Sequence, residues 1–283
     1  MDKFALNQFL TLLKREVLEH RNLFVLAPAF LALLLLFAAF WISKQFPRDQ
    51  LASGVAYLAM LFDGLSPVDM APVFMIGAIP FVFLLYTCAF VYLMNSLYQD
   101  RRDLSVLFWQ SMPVSNLKTV LSKVVTIAAV APFFYIAVLF GVYLIAMIWL
   151  TLLGIQFDIE IVGIGYMFLA AVVSLVFVYL SAIVTALWLF PSVGWLLLFS
   201  AFAKRTPFMW AAGVFILVGF LEDFLFGSQY LANWVESRAN PNQYVIFSFG
   251  DLVDRLFNYD MLFGIFVGAI LIAGAVLMRR FTD

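Results

Sequence analysis

The sequence predicts an all-α polytopic membrane protein with six transmembrane helices and both termini cytoplasmic. Three observations carry this. Of 283 residues, 65% are hydrophobic and 12% charged, against roughly 45–50% and 25% in soluble domains. Six stretches contain no Asp, Glu, Lys or Arg: Leu23–Ser43, Phe74–Met94, Val124–Leu153, Ile161–Ala203, Thr206–Leu221 and Met261–Met278. Each fills most or all of a hydrocarbon layer that takes about 20 helical residues. The segments between them divide the basic residues unequally, as the two faces of a membrane do.

In chain order, residues 1–22 come first. Leu6, Phe9, Leu10, Leu13 and Val17 share one helical face, with Lys3, Asn7, Thr11 and Lys14 opposite. This predicts an amphipathic helix at the membrane surface; a soluble helix packed on another domain has the same pattern, but the first apolar run follows at once. A secretory signal would carry a short apolar core behind a basic start, whereas Lys14, Arg15, Glu16 and Glu19 interrupt this segment.

The spans are placed at 23–43, 74–94, 124–153, 161–190, 206–226 and 261–280, with kinks expected at Pro28, Pro80 and Pro132. The run Ile161–Ala203 is about 64 Å long as a helix, too long for one crossing and just long enough for two. Charge decides. If only 161–190 crosses, 191–205 is an interfacial or re-entrant segment broken at Pro191. Then Lys3, Lys14, Arg15, Arg21, Arg101, Arg102, Lys118, Lys123, Lys204, Arg205, Arg279 and Arg280 all fall inside, 12 of 16 basic residues, while 11 of 17 acidic residues fall outside. A seventh crossing would carry Lys204, Arg205, Arg279 and Arg280 outward, against that bias. Trp41 and Trp149 then mark outer ends, and Trp188, Trp195 and Trp210 an inner interface. Span five meets Glu222 and Asp223 early, so the helix ends there or carries both carboxylates near the outer surface. The outer loop 227–260 includes an amphipathic helix (Phe247, Leu252, Val253, Leu256, Phe257) that could dip into the outer leaflet.

Most chemistry is excluded. There is no Gly-Lys dipeptide, hence no phosphate-cradling P-loop, and no G-x-S-x-G. A single His (His20) and a single Cys (Cys88) exclude H-E-x-x-H, a disulfide framework and a His/Cys zinc site. Catalytic, cofactor and metal-ligating residues are therefore expected to be absent. No acid lies in the middle of a span, which argues against an ion-coupled pump. The formal charge of −1 averages over opposed membrane faces, and no nucleic-acid partner is expected.

The most informative segment is 95–123, NSLYQDRRDLSVLFWQSMPVSNLKTVLSK. It predicts a cytoplasmic helical hairpin, broken near Met112 by Pro113 and restarting near Ser115. Its tip sets Leu104, Leu107, Phe108, Trp109, Met112 and Val114 beside Asp100, Arg101, Arg102 and Asp103. An exposed apolar patch rimmed by charge marks a partner surface; a hairpin lying on the bilayer or on its own Lys204 region is the plainer alternative. Three weaker features remain. Tyr166, Ala170, Ser174, Phe177, Ser181 and Thr185 form one small, mildly polar face of span four, read as helix packing or a translocation path. Gly264 and Gly268 form a GxxxG, suited to packing within one subunit or to dimerisation. Glu222 and Asp223 read as an outer-rim anchor or gate.

Gln99–Lys123, with LLKREVLEHRNLF (12–24) and FPSVGWLLLFSAFAKRTPFMWA (190–211), resembles the permease subunits of type-2 ATP-binding cassette (ABC) exporters, and the six-span layout extends the likeness over the whole chain. The resemblance implies two permease subunits, the same or homologous, and two separate P-loop ATPase subunits holding ATP and Mg. The ATPases would dock on a coupling element including Asp100, Arg101, Arg102, Asp103, Leu107, Phe108 and Pro113, with 7–20 as a connecting helix. It also implies export across a bacterial inner membrane. The chain departs from the family pattern in its short span five and its 191–203 segment. Competing readings are a stand-alone secondary transporter or channel, an intramembrane lipid-acting enzyme, and a scaffold that recruits a cytoplasmic protein.

Overall fold

The computed structural model describes residues 3–102, 114–240, 246 and 248–279. Among these, all regular structure is helical: α1 (Lys3–Glu19), α2 (Ala27–Gln45), α3 (Arg48–Phe62), α4 (Pro67–Arg102), α5 (Asn116–Val125), α6 (Ala131–Phe157), α7 (Ile164–Trp188), α8 (Phe190–Phe202), α9 (Pro207–Phe226), α10 (Tyr230–Arg238), α11 (Phe249–Leu256) and α12 (Tyr259–Met278). Six stretches are long and apolar enough to cross a membrane: Asn22–Gln45, Pro67–Arg102, Asn116–Phe157, Ile164–Trp188, Pro207–Phe226 and Tyr259–Met278. Their outward surfaces suit hydrocarbon rather than water. Leu33, Phe37, Phe220 and Phe224 are 68%, 65%, 63% and 74% exposed, in a density of bare apolar side chains that a soluble monomer does not sustain. The chain is a membrane protein.

Short π turns join amphipathic helices to spans at two places, Asn22–Leu26 before α2 and Thr126–Val130 between α5 and α6. In each, a backbone N–H reaches five residues back, Ala27 to the Asn22 carbonyl and Ala131 to that of Thr126. Pro28 and Pro132 follow directly. A proline lacks an N–H and crowds the carbonyl four residues earlier, and the wide turn ahead of it makes room for that ring. Pro72 and Pro80 instead lie inside α4.

The residues divide into two compact units, Arg21–Leu85 with Pro132–Leu180, and Met1–His20 with Tyr86–Ala131 and Ser181–Asp283. In the first, Phe62, Met70 and Ala170 form a core joined by Leu65, Phe74, Leu150 and Val162. Tyr135 donates its hydroxyl to the Leu23 carbonyl at 2.9 Å, and Tyr143 donates to that of Phe74. The segment after span one, legible in the sequence only as outer chain, contains α3.

The second unit is built on α8 lying lengthwise against α12. A β-carbon on Gly194 would come 2.8 Å from the Gly268 carbonyl oxygen, one on Gly268 would strike Phe190 at 2.5 Å, and one on Gly274 would meet Leu198 at 3.2 Å. These pairs rise together along both helices, so α8 runs parallel to α12. Leu189 alone interrupts α7 and α8, and i→i−4 hydrogen bonds continue on either side, Leu189 to Thr185 and Val193 to Leu189. Where the sequence predicts an interfacial or re-entrant segment, the structure has a helix with Pro191, Val193, Gly194, Leu197, Phe199, Ser200 and Ala201 buried. Packing on neighbouring helices, α12 above all, takes most of its surface.

Span five passes through Glu222 and Asp223 and ends at Phe226, where Gly227 adopts φ 58° and donates to the Asp223 carbonyl. Trp188 also departs from expectation. Its indole N–H donates to the Arg238 carbonyl at 3.1 Å, and the Arg238 guanidinium stacks 4.6 Å from the Trp188 ring and 4.5 Å from that of Trp234. The same guanidinium donates to the carbonyls of Trp188 and Asp260 and lies where a Gly264 β-carbon would be, 2.5 Å away. Trp188 thus sits level with the Asp260–Gly264 stretch of α12, about 22–28 Å of helical rise from Arg279, and not with Trp195 and Trp210.

Candidate functional site: a buried charge network joining α1, α4, α5 and the end of α12

α1 turns Gln8, Leu12 and Glu16 inward, one above another at four-residue spacing. α5 does the same with Thr119 and Lys123. The Lys123 ammonium lies 3.0 and 3.2 Å from the two Glu16 carboxylate oxygens, with side chains 1% and 0% exposed. Tyr92 of α4 donates its hydroxyl to Glu16 at 2.7 Å and receives the His20 ring edge-on at 4.8 Å. Lys118 extends the α1–α5 seam by donating to Gln8 at 2.9 Å.

Asp100, 4% exposed near the end of α4, is the hub. Its carboxylate lies 3.5 Å from Lys123, 3.4 Å from Arg279 just past α12, and 3.5 Å from Arg15, which reaches on to Glu19 at 3.1 Å. Two buried carboxylates thus face three cations contributed by α1, α5 and the end of α12. Opposite charges in contact are what make ions tolerable away from water. Burial by itself pushes the Glu16 carboxyl up, yet Lys123, the Tyr92 hydroxyl and Arg15 outweigh it and hold that carboxyl below its ordinary value. Burial lowers the Arg279 guanidinium, with Asp100 opposing.

Arg101 works beside this hub. It donates to the carbonyls of Ser200 and Phe202 at 3.4 and 3.3 Å and also to that of Ala203, closing the C-terminal end of α8 where partial negative charge collects. Ser200 returns the tie, its hydroxyl accepting from the Leu97 and Tyr98 N–H groups at 3.2 and 3.1 Å. One end of this unit therefore gathers the C-terminal ends of α4, α8 and α12 with α1 and α5, and with them Arg15, Arg101, Lys118, Lys123 and Arg279.

Of the expected coupling residues, Asp100 and Arg101 are thus committed to internal contacts, and Arg102 is exposed. Asp103, Leu104, Leu107, Phe108, Trp109, Met112 and Pro113 lie outside the described residues, as do Phe247 and Arg280. In span four, Ala170, Ser174, Phe177, Ser181 and Thr185 are buried and Tyr166 is 56% exposed; the Ser181 hydroxyl accepts from the Ile246 N–H at 2.9 Å. That face packs within the chain. Gly264 and Gly268 likewise meet Arg238 and Phe190 of their own chain. The Glu222 carboxylate accepts from the Tyr230 and Leu231 N–H groups at 2.6 and 3.0 Å and from the Ser228 hydroxyl at 3.1 Å, which makes it the N-terminal cap of α10; Asp223 is exposed.

Sequence reasoning treated Glu16, Lys123, Arg15 and Arg279 as side-marking charges and missed their pairing. A signal was present. Glu16 follows Leu12 by four on the inward face, and Lys123 stands midway between Thr119 and Ile127. No group of His, Cys, Asp and Glu among the described residues could hold a metal. Comparison with protein families, with characterised proteins and with solved structures finds no match to this chain.

Proposed function

We propose that the chain is the membrane-spanning permease subunit of an ABC exporter, driven by ATP that a separate subunit hydrolyses. The observation that carries this reading is the network rooted on Asp100, from which the 95–123 hairpin departs. A partner pushing on such a hairpin would load α1, α4, α5 and α12 together, because Asp100 and Lys123 tie its two ends to Glu16 and Arg279. A lever needs a stiff root, and paired buried ions that cost several kcal/mol to separate supply one.

In this reading the basic end is cytoplasmic, so both termini are inside and α10 and α11 lie on the far side. The hairpin tip around Leu107, Phe108, Trp109 and Met112 would dock the ATPase, and Mg and ATP would belong to that partner. A second permease subunit would complete the path. The membrane would be a bacterial inner membrane. This chain binds and orients; it does not catalyse.

The test is purification from native membranes in mild detergent, with mass spectrometry of bound chains and an ATPase assay. A P-loop ATPase in equal stoichiometry, lost in Phe108→Asp while the permease stays inserted, is the expected result. A complex that survives Phe108→Asp removes the docking assignment, and a lone chain without ATPase favours a self-sufficient transporter or a lipid-acting enzyme.

A further inference from the structure

Within the second unit, two spans of equal length mark the depth of the membrane boundary. The α9 and α12 helices have 20 residues each, Pro207–Phe226 and Tyr259–Met278, which rise about 30 Å, the thickness of the hydrocarbon layer. Lys204 and Arg205 stand just before the first and Arg279 just after the second, at the level of the lipid headgroups. Ion contacts bring α1 to the same level. Asp100 joins Arg279 at 3.4 Å to Arg15 of α1 at 3.5 Å, and its neighbour Arg101 holds the Ala203 carbonyl next to Lys204.

The same contacts fix the rotation of α1. Gln8 and Glu16 are held by Lys118 and Lys123, with Leu12 buried between them. That leaves Leu6 and Leu10 43% and 52% exposed, with Lys14 exposed one turn further along the same row. Bare leucines at headgroup depth suit the acyl boundary of a bilayer. The cations of this end fall into two sets. Arg15, Lys123 and Arg279 lie against Glu16 and Asp100, whereas Lys14, Lys204 and Arg205 are exposed. The exposed carboxylate at this end among the described residues is Glu19, which Arg15 holds at 3.1 Å. Asp223 and Asp260, also exposed, lie in the last turn of α9 and the first turn of α12, at the opposite ends of those spans.

We propose that this end of the protein seats anionic phospholipids, with Lys14, Lys204 and Arg205 on the headgroup phosphates and Leu6 and Leu10 among the first acyl carbons. A zwitterionic headgroup carries its own cation and leaves the positive excess of the rim unbalanced. A headgroup with net negative charge balances it. One cation close to an anionic bilayer tightens association roughly fivefold, so three at one level select such lipids from a mixture. Leucines interleaved with the cations favour a lipid surface over an acidic protein, which would leave Leu6 and Leu10 uncovered. The surface is independent of the transport reading.

The test uses the full-length protein, purified in mild detergent and equilibrated with an equimolar mixture of phosphatidylglycerol and phosphatidylcholine, with retained lipid identified by native mass spectrometry. The unaltered protein is expected to retain phosphatidylglycerol over phosphatidylcholine by about fivefold or more, and the preference should shrink at high salt, which screens exposed charges. A triple variant, Lys14→Gln with Lys204→Gln and Arg205→Gln, should bring the two lipids to near parity while its melting temperature in phosphatidylcholine alone is unchanged. Asp223→Asn, at the opposite end of α9, should leave the preference in place. Equal retention of the two lipids by the unaltered protein overturns the proposal, as does a preference that the triple variant keeps. A triple variant that keeps the preference and loses a co-purifying protein gives these cations to a partner chain and overturns it too.

Discussion

Lys123 and Glu16 stand 107 positions apart in sequence, yet the lysine ammonium lies 3.0 Å from the glutamate carboxylate at essentially zero exposure. Removing one partner leaves the other charge buried, which typically costs about 3–5 kcal/mol. Lys123→Met is expected to lower the melting temperature of the detergent-purified protein strongly, and Glu16→Gln less, because Gln keeps an acceptor for Tyr92. The double variant should lose clearly less than the sum of the singles. Strict additivity would show that the two groups do not share an energy.

The same carboxylate sets a pH dependence. Its folded-state value is below the ordinary 4.5, so the unfolded chain binds the proton first and the pairing stabilises the fold fully above that range. Stability from this source is lost as pH falls through the lowered value. Melting temperature should hold level from about pH 7 to 5 and then decline with acid, and Glu16→Gln should flatten part of the decline. A Glu16→Gln profile parallel to that of the unaltered protein would contradict this.

Gly194 and Gly268 mark where α8 and α12 touch through their backbones. Gly268→Val forces a branched side chain into Phe190, and Gly194→Val into the Gly268 carbonyl, each at a cost of about 1–3 kcal/mol. Gly274→Ala is the control, since its nearest neighbour is the flexible end of Leu198 at 3.2 Å. The expected pattern is a lower melting temperature for the two valines, little change for the alanine, and an unaltered oligomeric mass by light scattering. A loss of self-association in Gly268→Val would instead place the GxxxG between subunits.

Thr206 begins α9 with φ 48° in the left-handed region, where a β-carbon meets the following carbonyl and costs roughly 1–2 kcal/mol. Thr206→Gly removes that clash and is expected to raise the melting temperature slightly. Thr206→Val, branched but without the hydroxyl, should not. A gain from valine would mean that the hydroxyl rather than the backbone governs this turn.

Much of the architecture was legible because hydropathy reports a transfer energy summed over a segment, and six segments exceed what water tolerates. Which helix lies on which is decided by single positions. Pro191 announced a break, but only the match of Gly194 and Gly268 to bulkier neighbours shows that α8 packs along α12. Glu222 looked like a rim charge because nothing in its own helix reveals that Tyr230 and Leu231 need acceptors. The ions of the network were visible as a side preference and invisible as partners, since a sum over charges carries no geometry. Trp188 was misplaced for the same reason: an indole prefers an interface on average, but a guanidinium on its face and a carbonyl at its N–H bind it more specifically.

The π turns at Asn22–Leu26 and Thr126–Val130 bear on how the length of this chain can change. A π turn is an α-helix carrying one supernumerary residue. Deleting one residue at either place would let the turn relax to α geometry while the helices before and after keep their facing. A deletion elsewhere in a span would instead swing everything beyond it by about 100°, carrying lipid-facing side chains into the protein. Single-residue gaps should therefore be tolerated at these two joints and rejected along the body of the spans.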